Sequence, residues 1–592
     1  MSVVSRLESL RKAMISKSIA AYIIPSSDPH LSEYISNHYK TREWLSGFTG
    51  SAGTLVVTQN EAALWTDSRY FIQAETELKG TGISLCKMGL PETPTIETWL
   101  SLILQKKALV AFNGRLMPYS LAKATIQKLK DAKLKVDSNI DLIPDIWKNR
   151  PVLPSGKAFT HELRFAGATV EEKIEAIRIE LLKNHANGCV ITTLDDVAWT
   201  FNIRGNDVDY NPVVMAYGYV SMDDAVLFID SNKISNTIVE SLQNEGVAVL
   251  PYSKAAKFFG KLGKKETIAL DGNRTNFTIY NSICKRNVVH ECISIPTQLK
   301  AKKNSVELEN IRGAMVSDGV ALVKFFTWFE QSLGNEKIDE VSLGKKLFEF
   351  RSKQPNFVSE SFSIIVGYAD HGAIVHYSAT PETAYEIKPK GFLLIDSGGQ
   401  YHSGTTDITR TLHLSSPTKE EATDYTLVLK GMIQLSLAKF PTGTRGVQLD
   451  VLARNAMWRE GVNYGHGTGH GVGAFLNVHE GPQSIRQNEN PVTLELGMVQ
   501  SNEPAIYRAG KYGIRIENLI ACVPAYDNEF GKFYQFETLT LCPIDTNPIR
   551  VEMLTTDEID WINSYHKMVY EKLSGKLTKK ERDWLKAKTK EI

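Results

Sequence analysis

The sequence predicts an α/β protein, of mixed α+β character overall, in which two related α/β domains precede a third, larger one. Residues 21–67 and 189–230 share one pattern: an apolar strand, an aromatic-glycine turn and a strand hairpin that ends in aspartate. A proline-bearing link near residues 150–160 and a lysine-rich link near residues 296–303 divide the chain. We therefore expect domains at 1–155, 156–300 and 301–592.

The individual elements follow from the spacing of apolar residues. Helical spacing in 3–17 and 169–185 predicts a helix ahead of each strand pattern. The first of these lacks the apolar core of a signal peptide; a mitochondrial transit peptide is a minor alternative, because Glu8 is present and arginines are few. A longer helical pattern over 305–333 opens the third domain. The charged segment from Thr556 onward predicts a terminal helix with one packed face.

Composition excludes several classes of function. The 68 basic and 67 acidic residues give a net charge of +1, which provides no footprint for nucleic acid or an anionic membrane. No apolar run approaches the roughly 18 residues that a membrane span needs. The six cysteines form no CxxC pair and are typical of reduced thiols in an intracellular protein. We expect a cytoplasmic protein without nucleic-acid or membrane partners.

The stretch "YGHGTGHGVGAFLNVHEGP" at 464–482 holds three histidines and six glycines. Glycine at every second position disfavours a helix and fits an extended strand, with His466 and His470 on one face. Glycine inside a strand often marks close approach of a ligand or of another backbone. A glycine-rich surface loop is the simpler alternative, and the stretch by itself does not decide between them.

Two acidic stretches flank this segment and resemble each other. Residues 391–414 and 497–520 both begin with glycine and an apolar run, and each then carries two acids, 11 or 14 residues apart. This pattern indicates an internal repeat in which each half contributes two carboxylates.

In the first stretch, Asp396 ends the apolar run and Asp407 opens the returning strand. In the second, folding about Gly510 brings Glu503 opposite Glu517, and cross-strand partners lie about 5 Å apart. Any one of these acids could simply form a turn. As a set beside apolar segments they would repel one another, and two divalent cations would remove that repulsion.

With His470 the set offers oxygen donors and one imidazole, without any thiolate. This donor set disfavours structural zinc and favours a dinuclear Mn²⁺, Co²⁺ or Zn²⁺ centre with bridging carboxylates; the histidine makes an all-oxygen magnesium site less suitable.

The chain also resembles a known family. "GAIVHYSATPET" (372–383), "HGTGHGVGAFLNVHEGP" (466–482) and "GIRIEN" (513–518) are similar to motifs of the aminopeptidase P, or Xaa-Pro aminopeptidase, branch of the pita-bread metallopeptidases. The length resembles its large three-domain cytosolic form, with two creatinase-like domains before a pita-bread catalytic domain. In order and context, the metal ligands of that family match Asp396, Asp407, His470, Glu503 and Glu517.

The resemblance implies an aminopeptidase that removes the residue before a penultimate proline (Xaa-|-Pro-Yaa). Two metal ions, with Mn²⁺ as the first choice, would activate a shared water to supply hydroxide at neutral pH. Glu503 would act as general base or orient that water. An Xaa-Pro bond is a tertiary amide without N–H, so it needs a dedicated pocket. The family also implies a homodimer.

Other roles carry over residue by residue. His376 matches a histidine that helps to stabilise the oxyanion, and His479 one that handles protons or binds the substrate backbone. His466 matches a histidine that lines the proline pocket. Arg515 stands where relatives keep an arginine beside a ligand carboxylate, and together with Arg69 it is a predicted substrate-binding residue.

Several alternatives stay open at this point. A prolidase acting on Xaa-Pro dipeptides needs a cationic group for the substrate carboxylate, and none can be assigned. Methionine aminopeptidase lacks the two N-terminal domains, and the peptidase motifs fit better than a creatinase-like hydrolase. A non-enzymatic peptide-binding module would lack metal ligands, which are all present here. His371 has no role by resemblance and is expected to be a surface histidine, and Tyr512 is only a candidate neighbour of the site.

Overall fold

The computed structural model describes residues 2–592, which form two compact units. One unit ends its first segment at Thr160 and continues over Ala168–Leu299. The other comprises His161–Gly167 and Lys300–Ile592.

The first α/β domain is built on a six-stranded sheet of order β4-β3-β2-β1-β5-β6. Strands β1–β2 and β2–β3 pair antiparallel, and the outer pairs are parallel. The strands are β1 (Ala21–Pro25), β2 (Thr54–Thr58), β3 (Ala62–Thr66), β4 (Ser84–Lys87), β5 (Leu109–Phe112) and β6 (Lys135–Asp137). The helices are α1 (Val3–Ser16), α2 (Thr41–Ser46), α3 (Phe71–Glu77), α4 (Ile96–Ile103), α5 (Tyr119–Asp131) and α6 (Ile143–Ile146).

The second sheet repeats this plan with order β12-β11-β10-β8-β13-β14 and the same sequence of antiparallel and parallel pairs. The strands of this part are β7 (Phe159–Thr160), β8 (Gly188–Ile191), β9 (Ile203–Arg204), β10 (Ala216–Ser221), β11 (Ala225–Ile229), β12 (Val247–Pro251), β13 (Thr267–Leu270) and β14 (Val288–Glu291). The helices are α7 (Leu163–Ala166), α8 (Val170–Lys183), α9 (Leu194–Thr200), α10 (Asn236–Asn244), α11 (Ala255–Phe259), α12 (Phe277–Cys284) and α13 (Ile295–Ala301). The matched topologies confirm that the two domains are related.

The predicted helices α1 and α8 both form, and each is capped by the hydroxyl before it. Ser2 accepts from the Ser5 N–H, while Thr169 and Glu172 make a reciprocal capping box. The aromatic-glycine stretches 44–50 and 199–205, expected as turns, instead begin as the last residues of helices α2 and α9.

The second unit contains the remaining helices and strands. The helices are α14 (Ser305–Ser332), α15 (Glu340–Arg351), α16 (Lys419–Ser436), α17 (Gly446–Arg459), α18 (Thr556–Leu573) and α19 (Lys579–Lys588). The strands are β15 (Phe357–Glu360), β16 (Ile365–Tyr368), β17 (Phe392–Ser397), β18 (Gly399–Tyr401), β19 (Gly404–Thr405), β20 (Ile408–His413), β21 (Lys439–Pro441), β22 (Gly469–Gly471), β23 (Glu480–Ile485), β24 (Val499–Asn502), β25 (Ala505–Arg508), β26 (Tyr512–Arg515), β27 (Asn518–Asn528) and β28 (Gly531–Thr538). Short 3₁₀ turns lie at Asn37–Tyr39, Gly114–Leu116, Tyr252–Lys254, Ala369–Ala373, Val551–Met553 and Ser574–Lys576.

Two nested hairpins form the predicted internal repeat. Strands β17 and β20 pair antiparallel and enclose the smaller hairpin β18–β19, and strands β24 and β27 likewise enclose β25–β26. Asn502 pairs with Asn518 and Ala505 with Arg515, so the same register places Glu503 opposite Glu517, as predicted. Each acidic pair therefore lies where an outer strand passes into an inner hairpin.

The helices of this unit pack around one large apolar cluster. Helix α14 begins at a capping box of Asn304 and Glu307 and buries Met315, Val320 and Val323 in the cluster. Helix α18 contributes Tyr565, Val569 and Leu573, which confirms the packed face predicted for the C-terminal segment.

The histidine–glycine segment is less regular than its alternation suggested. Within the alternating residues 464–473, only Gly469–Gly471 forms a strand, β22, which pairs with β23 and β24. Residues 464–468 run as bends without a strand partner.

Among residues 2–592, no helix is both long enough and apolar enough to cross a bilayer. All six cysteines are free thiols.

Candidate metal centre

Three predicted ligands lie around one point of the second unit, with Glu503 beside His470 and Asp396 within electrostatic reach of Asp407. One ligand atom each from Asp407, His470 and Glu517 lies within 4.8 Å of the other two. His470 Nε2 is 3.5 Å from Asp407 Oδ2 and 3.5 Å from Glu503 Oε1. Its Nδ1 lies 3.0 Å from the Gly471 carbonyl oxygen, to which it donates, so Nε2 is left with a lone pair that faces the carboxylates.

Hydrogen-bond donors hold three of the carboxylates in place. Arg515 Nη2 donates to Asp396 Oδ2 at 2.6 Å, and the Thr409 hydroxyl donates to Glu517 Oε2 at 2.7 Å. The Ser501 hydroxyl donates to Glu503 Oε1 at 3.1 Å. The other Asp396 oxygen, Oδ1, is buried without a hydrogen-bond partner within residues 2–592. A buried, unpartnered carboxylate oxygen is costly unless a cation faces it.

The buried carboxyl groups of the cluster have raised pKa values, which favours the binding of cations. Burial raises the pKa of Asp407 and Glu517 well above the usual carboxyl range, and the neighbouring carboxylates raise it further. Burial also raises the pKa of Glu503 to about 7, although Arg515 opposes the shift. Asp407, Glu503 and Glu517 cannot all ionise together in this buried cluster without positive charge beside them. The residues present therefore fit a pair of divalent cations, and this donor set of oxygens with one imidazole suits Mn²⁺, Co²⁺ or Zn²⁺.

Two of the predicted substrate histidines lie beside this centre. The rings of His479 and His470 meet edge to face, with centroids 4.5 Å apart. His466 Nδ1 lies 2.8 Å from the Gly467 carbonyl oxygen, and Nε2 accepts from the Tyr507 hydroxyl at 2.9 Å. His376 lies in the same unit, beside the buried Tyr377; its catalytic role stays a prediction.

Arg515 connects the ligand carboxylates to the histidine pocket. Besides Asp396, its guanidinium donates from Nε to the Thr409 hydroxyl at 3.0 Å and from Nη1 to the Tyr507 hydroxyl at 2.6 Å. Each of the three guanidinium nitrogens of Arg515 thus donates to a protein group, which suits a residue that holds a ligand carboxylate in place. Tyr512 points elsewhere, and its hydroxyl donates to Asp424 at 2.9 Å.

Arg69 belongs to the other unit. Its Nε and Nη2 donate to the two carboxylate oxygens of Asp67, both at 2.8 Å. Its role in substrate binding stays a prediction.

The expectation that His371 is a surface histidine was wrong. Its side chain is only 12% exposed, and Nδ1 lies 3.0 Å from both carboxylate oxygens of Glu340. The ring stacks on Tyr377 and Tyr385, with centroids 4.3 and 3.7 Å away. No local pattern predicts this contact, because Glu340 lies 31 residues before His371, at the start of a helix with an ordinary capping pattern.

The glycines in the histidine segment permit close strand packing. A Cβ at Gly469 would lie 2.0 Å from the Ser501 carbonyl oxygen, and one at Gly471 would lie 2.6 Å from the Glu480 carbonyl oxygen. The neighbouring backbone therefore approaches to a distance that only glycine allows, in agreement with the interpretation of glycine inside a strand.

Two lysines that the sequence analysis did not identify form buried ion pairs with the first residue of β23, directly after His479. Lys303 Nζ lies 2.6 Å from Glu480 Oε1, and Lys300 Nζ lies 3.2 Å from Glu480 Oε2, with all three side chains almost fully buried. Buried lysines demand an anionic partner. The lysine-rich link had been interpreted only as a domain boundary.

Models of known families match nearly the whole chain. The model described as creatinase/prolidase N-terminal domain matches residues 6–143, and a second of the same description matches 149–307. Metallopeptidase family M24 matches 309–524, and the C-terminal region of peptidase M24 matches 532–592.

Full-length relatives agree with these matches. Xaa-Pro aminopeptidase 1 of Dictyostelium discoideum is 40% identical, over 100% of this chain and 97% of that protein. Aminopeptidase P2 of Arabidopsis thaliana is 39% identical, over 96% of this chain and 86% of that protein. The crystal structure of X-prolyl aminopeptidase from Caenorhabditis elegans, described as a cytosolic enzyme with a di-nuclear active site, superposes with a TM-score of 0.95 at 34% identity and covers 100% of both chains.

Proposed function

The chain belongs to metallopeptidase family M24, among the Xaa-Pro aminopeptidases, and from that membership we propose that it is a two-metal aminopeptidase that cleaves Xaa-|-Pro-Yaa peptides. One observation carries the proposal. Carboxylates from two separate hairpins and one imidazole meet around a single point, in a chain similar over its whole length to enzymes of this specificity.

We infer that Asp396, Asp407, His470, Glu503 and Glu517 hold the two cations. When bound, the cations would polarise the scissile carbonyl and lower the pKa of a bound water molecule. Every other part of the proposed chemistry belongs to side chains of this protein.

Glu503 is the proposed proton acceptor. Its carboxylate is partly exposed, with 18% of the side chain accessible, whereas Asp407 is nearly closed off. Burial raises its pKa to about 7 before any cation binds, and a bound cation would lower that value, so the carboxylate is ionised and able to take a proton at working pH. The His479 ring, edge-on to His470, would return a proton to the leaving amine or hold the substrate backbone. His376 would donate to the developing oxyanion.

His466 is the proposed wall of the proline pocket. The Tyr507 hydroxyl fixes its ring from one side and the Gly467 carbonyl from the other, so the imidazole keeps one orientation. A rigid wall suits the pyrrolidine ring, whose backbone φ is fixed and which brings no N–H donor.

Peptide turnover tests this function directly. We expect the purified protein with added Mn²⁺ to release the first residue of Arg-Pro-Pro-type peptides and to leave Arg-Ala-Pro controls intact. Equal cleavage of both peptides would contradict the proline requirement. Strict preference for Ala-Pro over longer peptides would favour a prolidase instead.

The native metal is proposed to be Mn²⁺, with Co²⁺ or Zn²⁺ as alternatives. Oxygen-rich donor sets with one imidazole support this choice. Metal analysis of the protein as purified, followed by reactivation of the chelated protein with each ion, tests it. A chain that holds no transition metal and gains no activity with any ion would favour a peptide-binding module.

We also propose that the protein is a cytosolic homodimer. The six free cysteines suit a reducing compartment, and the resemblance to the family supports dimerisation through the C-terminal part. Light scattering after size exclusion should give twice the chain mass of 66.1 kDa. A monomeric mass would contradict the dimer and leave the catalytic proposal untouched.

Arg69 is retained as a proposed substrate-binding residue. We expect Arg69→Ala to raise KM more than it lowers kcat. Unchanged KM would restrict the role of Arg69 to its pair with Asp67.

A further inference from the structure

Helix α17 buries an arginine–aspartate pair against the segment that carries His466 and His470. Arg454 and Asp450 lie four residues apart on the helix, and Arg454 Nε donates to Asp450 Oδ2 at 2.7 Å. Both side chains are at most 3% exposed. Burying two charges costs desolvation free energy, so such a pair is informative about what else its atoms contact.

The guanidinium of Arg454 serves the backbone of the histidine segment. Nη1 donates to the Tyr464 carbonyl oxygen at 2.8 Å, and Nη2 donates to the His466 carbonyl oxygen at 2.7 Å. Its Cζ also lies 3.8 Å from the centroid of the Tyr464 ring. One planar group therefore fixes the segment at two alternate residues and on the face of an aromatic ring.

The carboxylate of Asp450 serves the other half of the segment. Thr468 donates its hydroxyl to Asp450 Oδ1 at 2.6 Å, and the Tyr464 hydroxyl lies 2.5 Å from Thr468 Oγ1, to which it donates. The carbonyl oxygen of Thr468 accepts from the Glu503 N–H at 2.8 Å. The chain of contacts thus runs from helix α17 through Thr468 to a proposed metal ligand.

These contacts replace the strand pairing that residues 464–468 lack. Backbone carbonyls in an irregular, partly buried segment need donors, and no neighbouring strand supplies them here. A fixed guanidinium fork supplies two of those donors with defined directions. The segment is therefore held by one side chain at the residues that lead into His470.

We propose that Arg454 and Asp450 are positioning residues, which set the backbone of residues 464–468 and thereby the placement of His466, His470 and Glu503. The inference rests on the proposed function for the roles of those three residues. Arg454 and Asp450 donate to or accept from neither the metal ligand atoms nor the His466 imidazole; they act through the Thr468 hydroxyl and the backbone carbonyls of residues 464 and 466.

The test compares three variants of the full-length protein. Arg454→Met removes the fork, and Thr468→Val removes one hydroxyl while leaving the ion pair of Arg454 and Asp450 intact. Arg459→Met is the matched control, since it removes the same charge from an exposed position on the same helix. The measurements are the Kd of Mn²⁺ for chelated protein by calorimetry, the thermal midpoint, and kcat and KM at saturating Mn²⁺.

We expect Arg454→Met and Thr468→Val to weaken Mn²⁺ binding by about 10- to 100-fold, the range for residues that orient metal ligands. Arg454→Met should also raise KM several-fold at saturating metal, because His466 loses its backbone anchor. Arg459→Met should have the wild-type Mn²⁺ affinity and the wild-type KM.

Wild-type Mn²⁺ affinity and KM in Arg454→Met and Thr468→Val, with only a lower thermal midpoint, would overturn the proposal, because the pair would then only stabilise the fold. If Arg454→Met does not fold, Thr468→Val decides by the same criterion. If the wild-type protein fails to cleave Xaa-Pro peptides, the proposed function is wrong. This inference still stands in that case if Arg454→Met and Thr468→Val bind Mn²⁺ more weakly than the wild type, as expected.

Discussion

The acidic ligands lose contact with water on burial, and hydrogen bonds from the protein do not fully replace it. Asp396 keeps one oxygen without a hydrogen bond, and burial together with neighbouring carboxylates raises the pKa of Asp407 and Glu517. Without bound cations the cluster of acids therefore lowers the stability of the folded protein, and cation binding raises that stability. His470 is the neutral donor in this set, and its Nδ1–H is already committed to a backbone carbonyl.

We predict that His470→Ala weakens Mn²⁺ binding by more than about 100-fold, because removal of a ligand should exceed the effect of removing a group that only orients one. Turnover should fall with it. His185→Asn is the control, since His185 is exposed and its φ of +50° is tolerated by asparagine. Calorimetric titration of the chelated proteins checks this; wild-type affinity in His470→Ala would exclude the residue as a ligand.

Arg515 illustrates a residue whose geometry matters more than its charge. Arg515→Lys keeps the charge but cannot reach Asp396, Thr409 and Tyr507 at once, so we predict a loss of about 10- to 100-fold in metal affinity or kcat/KM. Arg508→Lys in the same hairpin, where the partner is Asp424, should change little. Equal effects in both variants, measured by steady-state kinetics, would contradict the assigned role of Arg515.

At the scale of single elements, the acids lie where the outer strand pairs β17–β20 and β24–β27 end and the inner hairpins β18–β19 and β25–β26 begin. Strand β22 fits between its neighbours only because it has no side chains at its two ends. The strand is three residues long, so little else fixes its position.

Gly469→Ala should therefore destabilise the protein, by about 1–3 kcal/mol or more, because the new methyl group meets the Ser501 carbonyl oxygen at 2.0 Å. Gly313→Ala is the opposite control. It lies inside helix α14 with nothing within 4 Å of its would-be Cβ, so we expect a gain of about 0.5–1 kcal/mol. Urea unfolding measures both; a neutral Gly469→Ala would show that the two strands can separate without cost.

Helix α18 carries a pH-sensitive residue in its packed face. Burial lowers the pKa of His566 to about 4, and its Nε2 accepts from the Ile544 N–H at 3.1 Å, so the ring is neutral when folded. The unfolded chain takes up the proton near its ordinary pKa of about 6.5, so stability is full above that pH and falls as the pH drops towards 4.

For this group alone the expected loss is about 2 kcal/mol at pH 5 relative to pH 7. His566→Gln should lose correspondingly less stability between these two pH values, as measured by urea unfolding at each. Parallel losses in the variant and the wild type would show that His566 does not titrate in this way.

At the scale of the whole molecule, the ligands are confined to one of two units. All five proposed metal ligands belong to Lys300–Ile592, and none belongs to the unit with the two six-stranded sheets. Metal binding should therefore stabilise one unit selectively.

Removal of metal by a chelator should increase amide exchange in residues 391–414, 464–482 and 497–520, and leave the sheets of the other unit unchanged. Hydrogen exchange with and without Mn²⁺ measures this peptide by peptide. The opposite result, a uniform increase along the chain or none in these three segments, would contradict a metal site confined to this unit.

Features that depend on local spacing were predictable. Helices α1, α8, α14 and α18 form where apolar residues recur at helical spacing, and the register of β24 on β27 follows from a turn about Gly510. The five proposed ligands could be named because four acids beside apolar segments would repel one another without cations, and because these acids and His470 match, in order, the metal ligands of the family that the chain resembles.

Features that depend on distant partners were not predictable. The extended strand expected over the histidine segment shrank to three residues, because Arg454 and Glu503 satisfy its backbone in place of a neighbouring strand. His371 was expected at the surface and is instead stacked and paired with Glu340.

The sequence by itself determined which side chains are available for metal and substrate, their order, and the hairpins that present them. Only the tertiary structure decided that the carboxylate held by Arg515 is that of Asp396, and that Lys303 pairs with Glu480 and Arg454 with the histidine segment. The reason is physical. Hydrophobic spacing and turn chemistry act over a few neighbouring residues, whereas the partner of a buried charge is chosen by whichever element folding brings beside it.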